Sequence, residues 1–210
     1  MRSVSCVPSP AHFLTPPQAK RAAERTGSDG ADAAMDRYAR GDDQAFGEVY
    51  DAIAPRVHAY LLRLTRNRVL ADDLLQQTLL SMHRHRGSYA AGFPVLPWAF
   101  AIARRLYIDE FRRRRTDALW SARSVADEDR VQASSADDEM ASRQTAERVQ
   151  AVLAKLPETQ RVAFDLLRVE GLSHAQAAQV LGTTVSAVTL RAFRAYEAIR
   201  AVLNRSEDPG

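Results

Sequence analysis

The chain has 210 residues, 46% of them hydrophobic, with 29 Lys and Arg against 26 Asp and Glu and a single cysteine. That length allows one domain or two small ones, and an ordinary apolar fraction excludes disorder throughout. A lone Cys6 excludes a disulfide scaffold and a thiolate zinc site and points to a reducing cytoplasm.

No targeting or membrane segment is expected. Met1 to Cys6 has one Arg and no following apolar run. The longest uncharged apolar stretch, Phe93 to Ala103, is eleven residues broken by Pro94 and Pro97, against the about 20 needed to cross a bilayer. The net charge of +3 is unevenly spread: residues 36–116 carry 14 basic and 9 acidic groups, 117–143 carry 3 and 7, and 144–203 carry 7 and 5. Two basic blocks flank an acidic one. Only Lys20 and Lys155 are lysines, and Arg forks suit phosphates and guanine edges. Genomic base bias accounts for Arg over Lys equally well, but not for the segregation.

Residues 1–35, with Pro8, Pro10, Pro16 and Pro17 and little periodicity, are expected to form a disordered leader, and Met35 is a candidate translation start. From Asp42 the pattern turns helical. Asp42 or Asp43 can cap a helix in which Phe46, Val49, Tyr50 and Ile53 share a face. Pro55 marks a kink or restart, after which Val57, Tyr60, Leu61 and Leu64 repeat the spacing. Asn67 and Arg68 make a turn, and a third helix follows with Asp72 and Asp73 in its first turn. Its inward residues are Leu75, Thr78, Leu79 and Met82. Gly87 to Pro97 is a Gly/Pro-punctuated loop, and Trp98 to Arg115 is a fourth helix ending in four arginines. The first unit is an all-α bundle over residues 36–116.

Residues 117–143 hold Asp127-Glu128-Asp129 and Asp137-Asp138-Glu139 with Trp120 as the only aromatic, the composition of a flexible acidic linker. The second unit spans 144–203, leaving 204–210 as a tail. Val149, Val152, Leu153 and Leu156 form one helix, and Pro157 stands where the next, with Val162, Phe164, Leu166 and Leu167, can begin.

Ser173 with Gln176 three residues on is a capping box, opening a short helix with Ala177, Val180 and Leu181 inward. Gly182 supplies a left-handed turn. Thr184 can then cap a helix with Val188, Ala192, Ala195 and Ile199 inward, leaving Ser186, Thr189, Arg191 and Arg194 outward. This is the layout of a helix-turn-helix, whose second helix fits a major groove. An αα-corner inside a bundle is the bland alternative. The small residues at the crossing, both caps and the outward Arg pair favour the DNA reader.

No enzyme signature is present: no Gly-rich phosphate loop, nucleophile elbow or His-Glu-x-x-His occurs, and His58, His83, His85 and His174 are expected as solvated helix residues. No catalytic residue, metal or cofactor is expected. A conventional helix-turn-helix regulator with an all-α sensor or dimerisation domain remains a competing reading, although it gives no reason for the acidic-then-basic layout of residues 72–115.

Two blocks of the chain resemble the extracytoplasmic-function (ECF) sigma factors of bacterial RNA polymerase. Ala71-Asp72-Asp73-Leu74-Leu75-Gln76-Gln77-Thr78 is similar to that family's core-polymerase helix, usually Ala-Glu-Asp-Leu-Val-Gln-Glu-Thr. Pro97-Trp98 through Ala103-Arg104-Arg105 to the Arg112–Arg115 run resembles its promoter-melting segment. Leu156-Pro157-Glu158 to Arg161 and Phe164, then Glu170-Gly171-Leu172-Ser173, resemble the entry to its second DNA-binding domain. Departures are Gln77 for a frequent Glu, Arg105 for a frequent Asn, and Thr189-Leu190 where Lys and Ser are common.

The resemblance implies two small helical domains on a flexible acidic linker, acting as an alternative sigma factor that binds core RNA polymerase and promoter DNA, with an anti-sigma factor as a further partner and no membrane contact. It assigns Asp72, Asp73, Leu75 and Gln76 to core polymerase. Tyr89, Phe93, Trp98, Arg104, Arg105, Arg112 and Arg113 are assigned to the minus-ten element, with Trp98 also expected to pack the core. Thr184, Ser186, Thr189, Arg191 and Arg194 are assigned to the minus-thirty-five element. The acidic linker is expected to discourage DNA binding by the free protein.

Overall fold

The computed structural model describes residues 29–120 and 140–204, which are helical and contain no strand. The rest of the expected leader with Cys6, the linker segment 121–139 and the tail beyond Asn204 lie outside the described residues. Tertiary contacts divide the chain into two units, one carrying the helices up to Trp120 and one carrying those from Met140.

The first unit begins earlier than the sequence suggested. Residues 29–35, expected in the leader, belong to helix α1 (Asp29–Ala39). Ala31, Ala34, Met35 and Tyr38 recur at helical spacing and all four are buried. Met35, completely enclosed, contributes roughly 1.5–3 kcal/mol of burial by itself. The leader reading failed because four apolar positions in a polar, Ala-rich stretch look weak until a partner helix is present.

Helix α2 (Ala45–Thr65) is one continuous helix through Pro55, not two. Pro55 is exposed, and the lost amide bond is outweighed by packing of Ile53, Ala54, Val57, Tyr60 and Leu61 on either side. The expected Asp cap is displaced: Gln44 is the capping residue, and the Asp42 carboxylate accepts the Gln44 amide at 3.2 Å just before the helix. At the other end Arg66 takes a left-handed conformation, and the Asn67 side chain accepts the Leu70 amide at 2.9 Å to open α3 (Arg68–His85). Arg68 is therefore already helical, and Asp72 and Asp73 fall beyond the first turn, too late to serve the helix N-terminus.

A 3₁₀ turn (Arg86–Ser88) leads into a loop and then α4 (Val95–Trp120). Helix α4 starts three residues before its expected beginning. Pro97 is accommodated in its first turn, where an amide lacks an intrahelical partner anyway. It also runs past residue 116 into the segment assigned to the linker. Val95, Trp98, Ala99, Phe100, Ile102 and Ala103 are buried against α2 and α3, with Phe100 edge-on to Tyr60 at 5.1 Å.

In the second unit α5 (Met140–Lys155) reaches back into the expected linker by four residues. After Pro157, α6 (Glu158–Phe164) runs into a π-helical turn (Asp165–Val169). Then come α7 (His174–Leu181) and α8 (Val185–Asn204). Both arms of the capping box form, at 2.8 Å and 3.2 Å, and Gly182 sits at φ 60°, where a side chain would be strained. Thr184 accepts the Ala187 amide at 3.2 Å. Val188, Ala192, Ala195 and Ile199 of α8 are buried as the spacing required.

Candidate polymerase and nucleic-acid interfaces

Helix α3 offers one face to solvent. Asp72, Asp73 and Gln76 are exposed on it, flanked by Val69 and continued one turn on by Leu80, whereas Leu75 is half-buried between that face and the core. The buried line of the helix is Ala71, Leu74, Thr78 and Met82, so the expected inward positions Leu75 and Leu79 lie on its flank. His58 of α2 approaches Asp72, with Nε2 2.8 Å from Oδ1, close enough for an ion pair when the imidazole is protonated. Two other histidines, solvent-accessible as expected, also have partners. His83 Nδ1 meets the Tyr38 hydroxyl, and His85 Nδ1 lies 2.7 Å from the Ser81 carbonyl.

Beyond Leu80 the face opens into a groove of about 470 Å³ lined by Tyr38, Phe46, Leu79 and Leu80, with Asp43 and His83 among its polar residues. Sequence reasoning missed this apolar extension. Phe46 had been placed on the inward face of α2, but Ala45, Val49 and Ile53 take that line and leave Phe46 half-buried.

The loop after α3 is built around Tyr89. Its ring is buried, 7% exposed, at 5.2 Å from Trp98, and its hydroxyl donates to the Phe93 carbonyl. Burial, reinforced by Asp32 and Asp36, pushes the phenol well above its ordinary range, so Tyr89 stays a neutral donor. Trp98 is only 3% exposed. Both rings are enclosed: Trp98 packs the core, and Tyr89, expected beside a flipped base, is covered by the fold. Phe93 is half-buried and sits next to Gly92, whose φ of 81° makes the turn.

Along α4, Arg104 and Arg105 are half-buried, and Arg105 lies 3.9 Å from Asp109. Arg113 and Arg114 both bind Glu110 at 2.7 Å, and the hydrogen bond from Arg114 leads in holding the Glu110 carboxyl below its usual range. Arg113 is thereby engaged within its own helix, a pairing hidden in an unbroken Arg run. Arg112 and Arg115 are exposed, and among the described residues neither makes an ion pair. Phe111, missed in the sequence, is 56% exposed just before these cations, its ring 6.3 Å from Tyr107. An exposed aromatic flanked by arginines suits stacked bases and backbone phosphates.

On α8 the residues Thr184, Ser186, Thr189 and Arg194 are exposed and Arg191 is half-buried. The Thr189 hydroxyl donates to the Val185 carbonyl at 3.0 Å, turning its donor away from solvent. Two apolar residues join this face: Leu190, singled out in the sequence only as a departure from the family pattern, is half exposed, and Phe193, which escaped sequence reasoning, is 59% exposed. Their signal was available, since they sit between Thr189 and Arg194 and off the buried line of Val188, Ala192 and Ala195. Among the described residues no helix is long and apolar enough to cross a membrane, and no cluster of potential ligands could hold a metal ion.

Comparison with known proteins agrees with this two-part layout. Residues 49–116 match the family model for Sigma-70 region 2, and residues 146–199 match that for Sigma-70, region 4. RNA polymerase sigma factor CarQ of Myxococcus xanthus is 34% identical over 173 residues, spanning 82% of this chain and 97% of CarQ. ECF RNA polymerase sigma factor EcfG of Rhodopseudomonas palustris is 33% identical over 156 residues, spanning 72% of this chain and 81% of that protein. Similar folds are found in sigma factor RpoE from Bartonella quintana, solved with the anti-sigma factor NepR (TM-score 0.65, 21% identity, 76% of this chain and 96% of that one), and in CnrH, solved with the cytosolic domain of CnrY (TM-score 0.57, 24% identity, 84% and 99%). A helix-turn-helix regulator accounts for the second block alone, whereas both blocks match, and in the family's order. The chain belongs to the ECF family of RNA polymerase sigma factors, the alternative sigma factors that direct the polymerase to promoters.

Proposed function

We propose that the two domains divide promoter recognition between an opened strand and a closed duplex, with α3 as the attachment to core polymerase. The observation that carries this reading is the segregation of exposed chemistry: carboxylates on α3, exposed arginines and an exposed aromatic on α4, and an Arg-flanked apolar patch on α8.

On α3, Asp72, Asp73 and Gln76 make charge-assisted contacts to a basic partner helix, while Leu80 and the groove at Phe46 supply the apolar centre that such an interface needs. On α4, Arg112 and Arg115 hold the phosphates of the separated strand and Phe111 stacks on a base; Arg104 and Arg105 extend the cationic stripe toward the loop. Phe93 receives an extruded base of the minus-ten element, with Tyr89 and Trp98 forming the wall behind it. On α8, Arg191 and Arg194 contact guanine edges or phosphates of the minus-thirty-five element. Thr184 and Ser186 position the helix on the backbone, and Leu190 and Phe193 meet thymine methyl groups. The protein acts in the cytoplasm and performs no covalent chemistry of its own. RpoE was solved with the anti-sigma factor NepR, and an anti-sigma factor is the expected antagonist here too.

Transcription in vitro with core polymerase and a genomic template library tests the reading. Specific start sites that share an upstream and a downstream element are expected. Duplex binding without polymerase, as a dimer on a palindrome, would overturn it.

A further inference from the structure

The loop assigned to the minus-ten element is held from outside by helix α1. Asp32 Oδ1 accepts the amide of Val95 at 2.8 Å, capping α4, and Asp36 Oδ1 accepts the amide of Gly92 at 3.2 Å. The partners are 63 and 56 residues apart in sequence, so nothing local imposes these bonds. From inside, Tyr89 donates to the Phe93 carbonyl and its own amide donates to the Arg86 carbonyl at 3.1 Å. Phe93 therefore lies between two backbone amides fixed by carboxylates and has its carbonyl fixed by a phenol. A flexible loop of this length would lose several residues' worth of conformational entropy on gripping a base, and a loop already fixed in shape loses much less.

We infer that Asp32 and Asp36 are positioning residues for promoter opening: α1 is a strap that holds the 89–95 loop in the shape that receives the extruded base. The inference rests on the proposed role of Phe93 in that loop. It adds a function to a helix that has no exposed DNA-binding signature of its own. The strap acts through acceptor oxygens on two backbone amides, bonds that the carboxylate charge strengthens, at the N-terminus of α4 in the case of Asp32. Asn in either position keeps an acceptor and should keep most of the function.

The test uses holoenzyme and two probes, a fork-junction DNA with the minus-ten element single-stranded and an upstream duplex carrying only the minus-thirty-five element. Asp32→Ala and Asp36→Ala are expected to weaken fork-junction binding by up to about tenfold each, the smaller loss falling on Asp36, whose bond to Gly92 is exposed while that of Asp32 to Val95 is partly buried. The upstream duplex should be bound unchanged. Asp36→Asn and Asp32→Asn should recover most of the loss. Amide hydrogen exchange at Gly92 and Val95 in the free protein reports the strap directly and should accelerate in the Ala variants only. If exchange accelerates while fork-junction binding is unchanged, or if Asn fails as badly as Ala, the strap inference is overturned. Phe93→Ala in parallel separates the two levels: loss of binding there but not in Asp36→Ala removes the strap alone, and no loss in either removes the loop reading together with it.

Discussion

The two domains shape their DNA-facing surfaces by opposite routes. In the second, Ser173, Gln176, Gly182 and Thr184 set both helix starts and the turn between them through bonds spanning only a few residues, and α8 then presents its outer face automatically. In the first, the loop between α3 and α4 is fixed by Asp32 and Asp36 from a distant helix and by a tyrosine stacked on a tryptophan. A duplex reader needs a rigid helix, which local capping supplies. A pocket for one extruded base needs a particular irregular backbone, and irregular backbone must borrow its hydrogen-bond partners from elsewhere in the fold.

That contrast is open to measurement. The largest effect should come from removing residues 1–34. The chain then loses Ala31, Ala34 and the Asp32 cap, and the first domain should lose roughly 3–5 kcal/mol of stability, while the transition of the second stays in place by calorimetry. A single unshifted transition would show that α1 is dispensable and that the first domain is as locally determined as the second. Next in size, Asp72→Arg with Asp73→Arg should reduce affinity for core polymerase by roughly 100-fold, because both charges are reversed on an exposed face. Helicity should not change, since neither residue serves the helix N-terminus; unaltered co-purification would move the attachment off α3. Arg191→Ala and Arg194→Ala should each weaken upstream duplex binding by about 1–3 kcal/mol if they reach bases. An undiminished footprint in both would count against the assigned face of α8. The smallest effect is expected from Ser173→Ala, which should cost about 1 kcal/mol in the second domain and nothing in the first. A thermal shift in both domains would break the separation drawn between them.

Legibility followed the same line. The capping box, the left-handed Gly182 and the inward stripe of α8 were all visible, because each is a relation among residues a few positions apart. The carboxylate face of α3 was visible too. Hidden were α1, whose apolar positions Ala31, Ala34, Met35 and Tyr38 gain meaning only against α2, and the burial of Tyr89, whose loop setting suggested availability. The neutralisation of Arg113 by Glu110 was also missed, though its i, i+3 spacing could have been weighed. Phe193 was passed over, and Leu190 noted only as a departure, because polar residues were sought where the helix also exposes apolar ones.

By itself, then, the sequence determined the family, the all-α architecture in two charge-segregated blocks and the helix-turn-helix with its caps. Helical periodicity, capping and charge are properties of short windows and survive without any knowledge of the fold. Only the tertiary structure decided that the first domain begins before Met35, that Pro55 leaves α2 unbroken and that Tyr89 of the loop is enclosed in the fold. It also decided that carboxylates on α1 fix the loop between α3 and α4. Those facts depend on which surfaces meet across some 60 residues of chain, as the Asp32 to Val95 bond spanning 63 positions illustrates, and burial at such a distance is set by the packed whole and not by any window of it.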